Sequence, residues 1–270
     1  MMDGLRLARG AAPLVLLLAL LGGTASAQNR PGDSGRDRVT TSDESETQRR
    51  ARIRLDLAAA YFADGKLTTA LDEVKQALVI SPDMPQALNL RGLIYGAMGE
   101  EALADESYKR GLQVAPTDAD MLHNYGWHLC MRNRVDEALP LFDRALAVPR
   151  YRTPSRTLLA KGVCESRAGR LETAEATLKR AYELDAGNPA TAMNLADVLL
   201  KRGELDRARF YVRRVNQNGE LRNAESLWLA ARIEHKLGNV QGARDLGYQL
   251  RANYPDSSEA AAFGRGGFDE

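Results

Sequence analysis

Aromatic residues are scarce, at 6% of 270, with two Trp and five Phe. There are two Cys and three His. Two cysteines exclude a disulfide-dense miniature and a four-cysteine zinc module. Charge of one sign is also missing: 37 Lys and Arg face 36 Asp and Glu, a formal net charge of +1. A balanced chain gives no electrostatic case for nucleic acid or an anionic membrane as main partner. No phosphate-binding G-x-x-x-x-G-K-[ST], no G-x-S-x-G nucleophile elbow and no H-E-x-x-H zinc helix occurs. His123 and His128 stand five apart, an awkward spacing for one helix face. Neither has an acidic or cysteine ligand at metal spacing, so no metal or other cofactor is expected. The carboxylates are scattered, and nothing points to a catalytic pair or to an enzyme.

Long apolar runs are absent after the first 27 residues. That opening segment has Arg6 and Arg9, then the apolar run Ala11–Leu21 interrupted by Pro13, then Ala25-Ser26-Ala27. This order reads as a cleaved secretory signal peptide over residues 1–27. Its apolar part is too short for a bilayer span of about 20 residues, so the mature chain is expected to be periplasmic with no transmembrane span. No cysteine stands at the cleavage site, so there is no lipobox. Residues 28–50 have one aliphatic residue, Val39, among Gly, Ser, Thr and charges, and read as a flexible leader. Residues 258–270 are rich in Ala and Gly and read as a flexible C-terminal tail.

Between these, the chain repeats itself. A small turn residue recurs at Gly65, Gly99, Asn133, Gly169, Gly203 and Gly238, at spacings of 34, 34, 36, 34 and 35. Five positions after each stands an alanine: Ala70, Ala104, Ala138, Ala174, Ala208 and Ala243. Seven before each stands Ala58, Gly92, Gly126, Gly162, Ala196 or Ala231. Pro82, Pro116 and Pro255 close three of the units. This is the tetratricopeptide (TPR) signature, a helix–turn–helix of 34 residues. The small residue in helix A and the alanine in helix B mark the closest approach of the two helices. The turn residue tolerates a left-handed backbone, and proline ends helix B. The expected fold is all-α, a right-handed superhelical solenoid of six TPR repeats over residues 51–257, with A helices lining the concave face. The units are 51–84, 85–118, 119–154, 155–188, 189–223 and 224–257.

Cys130 and Cys164 fall in the A helices of repeats three and four, which pack side by side. In an exported protein this favours a disulfide; the alternative is two buried thiols. The two tryptophans, Trp127 and Trp228, fall at repeat positions 9 and 5, which usually face the groove. The groove set is then Leu55, Phe62, Asn89, Leu93, His123, Trp127, Leu159, Val163, Met193, Trp228 and Arg232. Exposed aromatics there would anchor a partner segment. The alternative is that both tryptophans fill gaps between repeats.

Three stretches carry a more specific resemblance: Ala51–Tyr61, the run Asn124-Tyr125-Gly126-Trp127-His128-Leu129-Cys130 with Gly162-Val163-Cys164, and Tyr248–Pro255. They resemble the PilW/PilF family of type IV pilus biogenesis and stability proteins, over roughly residues 50–263. The resemblance implies six TPR units, a disulfide between these two cysteine positions in some members, and no catalysis. It implies a pilotin or assembly role, with a secretin subunit of the outer membrane or another pilus assembly protein as partner. Many members carry a lipidated cysteine that Gly22–Gln28 does not offer, so docking or ring assembly is the expected role rather than carriage of lipidated cargo. The competing expectation is a general periplasmic TPR adaptor for another envelope complex.

Overall fold

The computed structural model describes residues 45–268. The signal segment and residues 28–44 of the leader lie outside the described residues. Among those described there are thirteen helices and no strand. Six A helices, α1 (Glu46–Ala63), α3 (Pro85–Met98), α5 (Ala119–Met131), α7 (Pro154–Arg167), α9 (Pro189–Lys201) and α11 (Ala224–Lys236), alternate with six B helices. The latter are α2 (Leu67–Ile80), α4 (Glu101–Val114), α6 (Val135–Leu146), α8 (Leu171–Leu184), α10 (Leu205–Gln217) and α12 (Val240–Asn253). A thirteenth helix, α13 (Ser258–Arg265), follows.

Local sequence sets these boundaries. Proline opens α3, α7 and α9, where its missing N–H costs nothing. Asp118, Asn188, Asn223 and Ser257 accept backbone N–H bonds at the starts of α5, α9, α11 and α13. The six A-to-B turns each carry one residue at positive φ: five glycines and Asn133 at φ 59°. Asparagine is the non-glycine residue that visits this region most readily.

In repeats two, three and four the glycine of helix A meets a large residue of helix B: Tyr108, Phe142 and Leu178 respectively. A Cβ on Gly92 would lie 2.7 Å from the Tyr108 ring, and one on Gly126 would lie 2.9 Å from Phe142. Ala70, Ala104, Ala138, Ala174 and Ala208 are all fully buried. Ion pairs and carbonyl bonds then tie each repeat to the next. Arg110 donates to the Pro82 carbonyl and Arg144 to the Pro116 carbonyl, each at 2.9 Å across the same 28-residue step. Arg134 bridges Asp105 and Glu137, and Arg202 reaches Glu175.

Two expectations need correction. Residues 46–50 are not leader: they form the first turns of α1, closed by a capping box between Ser45 and Gln48. The C-terminal segment is not a loose tail, because α13 packs on α11 and α12. Two of its three alanines, Ala260 and Ala262, are buried, and the Phe263 ring lies where a Cβ on Gly247 would be. Ala-rich composition suggests fraying, but small side chains are what let this helix seat closely.

Candidate partner-binding surfaces

The backbones of successive A helices approach one another closely, whereas B helices meet through long side chains, as where the Tyr182 ring of α8 packs edge-on against Tyr211 of α10. The A helices therefore crowd together on the inner side and the B helices splay on the outer side. The expected groove residues all lie on A helices, but they separate into three groups.

The first group is buried. His123 is 4% exposed; its Nδ1 lies 2.9 Å from Thr157 Oγ1 on α7, and its ring meets Phe142 edge-on. Tyr151, from the connection with two extra residues, bonds the same hydroxyl at 2.7 Å. Burial and the nearby Arg156 push the His123 pKa down to about 4. Met193 is also in the core, packed with the α9–α10 cluster. His123 points into the seam with α7 and is not on a binding surface, whereas Met193 reaches a cleft between α9 and α11 that Trp228 and Arg232 also line. Leu55, Phe62 and Leu93 are partly buried against the first core cluster, and Leu159 against the α9–α10 cluster. Val163 is likewise half-buried.

The second group faces solvent. Trp127 is 38% exposed. Near it, a polar ladder crosses three A helices: Arg156 donates to Asn124 Oδ1, and Asn124 Nδ2 donates to Asn89 Oδ1 at 3.1 Å. The third group, Trp228 and Arg232, is covered by Phe268: the Phe268 and Trp228 ring centroids are 5.2 Å apart, and Arg232 Nε donates to the Phe268 carbonyl. Behind Trp127, the structure joins Cys130 to Cys164, with Cα atoms 5.7 Å apart, stapling α5 to α7.

Sequence reasoning missed an exposed apolar cluster on the first repeat. Ile53 and Leu57 stand at positions 3 and 7 of helix A and are 46% and 40% exposed. At the same two positions repeat three has Met121 and Tyr125, and repeat five has Thr191 and Leu195; all four are buried. There the face packs on the preceding repeat; no helix pair precedes α1 among the described residues. Val79 on α2 is 81% exposed. With Ile80, Arg50 and Arg54, these residues line a cleft of about 550 Å³. Arg54 is held by Glu73 at 2.8 Å. Apolar residues at positions 3 and 7 of an opening repeat were the available signal.

The remaining titratable groups are structural in their surroundings. Burial raises the Glu165 pKa, with Thr177 and Lys161 opposing it. Burial lowers that of His128, whose Nε2 is 3.6 Å from Asp105. No group of three or more His, Cys, Asp and Glu could hold a metal ion among the described residues. No helix among them is long and apolar enough to cross a membrane.

Stacked helical hairpins of this register define a tetratricopeptide-repeat solenoid, and tetratricopeptide repeat models match residues 58–99, 85–118 and 167–221. The type IV pilus assembly protein PilF of Pseudomonas aeruginosa is 30% identical over 256 residues, covering 93% of this chain and 97% of that protein. The crystal structure of PilW, a widely conserved type IV pilus biogenesis factor, superposes with a TM-score of 0.74 at 34% identity, over 79% of this chain and 97% of that one. The P. aeruginosa PilF structure gives a TM-score of 0.72 at 26% identity, over 82% and 99%. The chain belongs to this family of TPR type IV pilus biogenesis proteins.

Proposed function

We propose that the protein is a non-catalytic periplasmic scaffold, exported by cleavage after Ala27, that promotes assembly of the outer-membrane secretin of a type IV pilus. It acts by docking an apolar segment of the secretin subunit. The observation that carries this reading is the exposed cluster of Ile53, Leu57 and Val79 on the first repeat. An apolar cleft rimmed by arginine suits a segment whose apolar side chains are flanked by acidic ones. The test is Leu57→Arg combined with Val79→Asp. With the helical fold intact, capture of the secretin subunit from envelope extract should fall about thirtyfold or more, the equivalent of roughly 2 kcal/mol for a lost anchor. Secretin multimers and pilus-dependent motility should fall with it. Unchanged capture by the folded variant sinks the reading.

A second reading has its own support. Trp127 is exposed on the inner side beside Asn89, Asn124 and Arg156, so the concave groove is the alternative secretin contact. Trp127→Ala separates the two: it should leave capture intact if the first repeat is the contact.

A further inference from the structure

We propose that the inner face of α11 is a binding site for an aromatic side chain on an extended segment of a partner protein, and that Phe268 is its resident intramolecular ligand. This does not depend on whether the first repeat or the Trp127 groove contacts the secretin. Helix α13 ends at Gly266, which has φ 73°. Gly267 N–H then bonds the Ala262 carbonyl at 3.0 Å, and the chain turns back toward α11. Phe268 arrives after the helix has finished; its ring meets Phe263 of α13 edge-on at 6.0 Å, while Ala260 and Phe263 themselves cover Leu227 and Leu250.

The residues that receive Phe268 sit at positions 5, 9 and 12 of the repeat, the register that faces the groove. Its ring stacks on His235 with centroids 4.4 Å apart and planes 13° apart. It tilts against Trp228 at 5.2 Å. Between them Arg232 Nε donates to the Phe268 main-chain carbonyl at 3.4 Å. Two flat aromatic surfaces and a donor for a carbonyl are what an extended segment with an aromatic side chain requires. Trp228 and Arg232 also line a cleft of about 230 Å³ between α9 and α11, together with Met193, Asn194, Asp197 and Glu225. A partner segment that places its aromatic residue on Trp228 can run on into this cleft, which Phe268 does not line. Gly266 and Gly267 supply the hinge on which Phe268 leaves.

A Trp127→Phe background leaves Trp228 as the sole tryptophan reporter. In that background Phe268→Ala should keep its helical signal and expose Trp228 to acrylamide quenching. A synthetic peptide of residues 264–270 should then bind the Phe268→Ala chain and restore protection. The tethered Phe268 competes at an effective concentration near the millimolar range, so the same peptide should bind the intact chain at least tenfold more weakly. A peptide with alanine in place of phenylalanine should not bind. If Phe268→Ala disturbs α13, Arg232→Gln, which removes only the carbonyl contact, should still raise quenching. Three results overturn the proposal: no peptide binding to the Phe268→Ala chain, equal binding to both chains, or a concentration-dependent dimer of the intact chain in which Phe268 is exchanged between copies.

Discussion

The first and last repeats solve the same problem in opposite ways. A TPR hairpin has one face for the repeat before it and one for the repeat after it, and a terminal hairpin has one of these left over. At the C-terminal side α13 takes the place of a seventh A helix, touching α11 and α12 as each A helix touches the repeat before it. It closes over Leu227 and Leu250. At the first repeat Ile53 and Leu57 remain exposed, and Val79 adds to them. Among the described residues, the burial that α13 gives the last repeat has no counterpart on the first. The comparison separates residues that hold the solenoid together from exposed residues that the proposed partner would cover, and it ranks what substitutions should do.

The largest effect is expected from removing residues 257–270. That uncovers Leu227, Leu250 and Tyr254 and deletes Phe263. The loss compares with truncating a core aromatic, about 3–5 kcal/mol. In a solenoid it should fall mainly on repeat six. Hydrogen exchange should show α11 and α12 opening while α1 to α4 keep their protection; uniform loss would mean that the ends are not independent.

The staple at the middle comes next. Replacing both Cys130 and Cys164 by alanine frees a 34-residue separation and should cost roughly 2–4 kcal/mol. It should also sharpen the contrast between the ends, since repeats one to three would then unfold apart from repeats four to six. Denaturant melts should change from one transition toward two. Thiol titration of the unreduced, denatured parent should find no free thiol.

The same junction should be sensitive to acid. His123 has a folded pKa of about 4 against 6.5 for the free side chain, through burial and then Arg156. The unfolded chain therefore binds the proton first, and stability falls as pH drops from 6.5 toward 4. Between pH 7.5 and 5 the loss from this group is about 2 kcal/mol. His123→Gln should flatten that part of the profile, leaving the smaller contribution of His128, which has the same sign. An unchanged pH profile in the variant would show that His123 is not the buried group responsible.

How much of this the sequence exposes depends on whether the relevant contact is local. The turn residues, Asn133 included, are legible because a helix–turn–helix needs a left-handed backbone at one place. The helix-facing alanines are legible because only a small side chain fits where two helices cross. The groove is less so. Position 5 carries Asn89, His123 and Trp228, and their surroundings differ because of Thr157 on the next helix and Phe268 far along the chain. Repeat periodicity gives every repeat the same surroundings, so it cannot show that a segment outside the repeats lies on Trp228. For the same reason it hides the first repeat, where Leu57 occupies an ordinary packing position with no preceding repeat on that face among the described residues.

The smallest effect on stability is expected at that face, and it decides the comparison. Ile53→Arg and Leu57→Arg place charges where the parent side chains are nearly half exposed. Each side chain is a little more than half covered by its own repeat, and the arginine stem can keep part of that contact, so stability should fall by no more than about 1 kcal/mol. An arginine at position 7 of repeat five, Leu195→Arg, is the control: that residue is 1% exposed within the main core. A charge buried there without a partner should unfold the repeat. Equal melting temperatures for Leu57→Arg and the parent, with loss of secretin capture, would assign the first face to a partner. A large loss of stability from Leu57→Arg would instead make that residue part of the solenoid's own core, and the difference between the two ends would be one of degree.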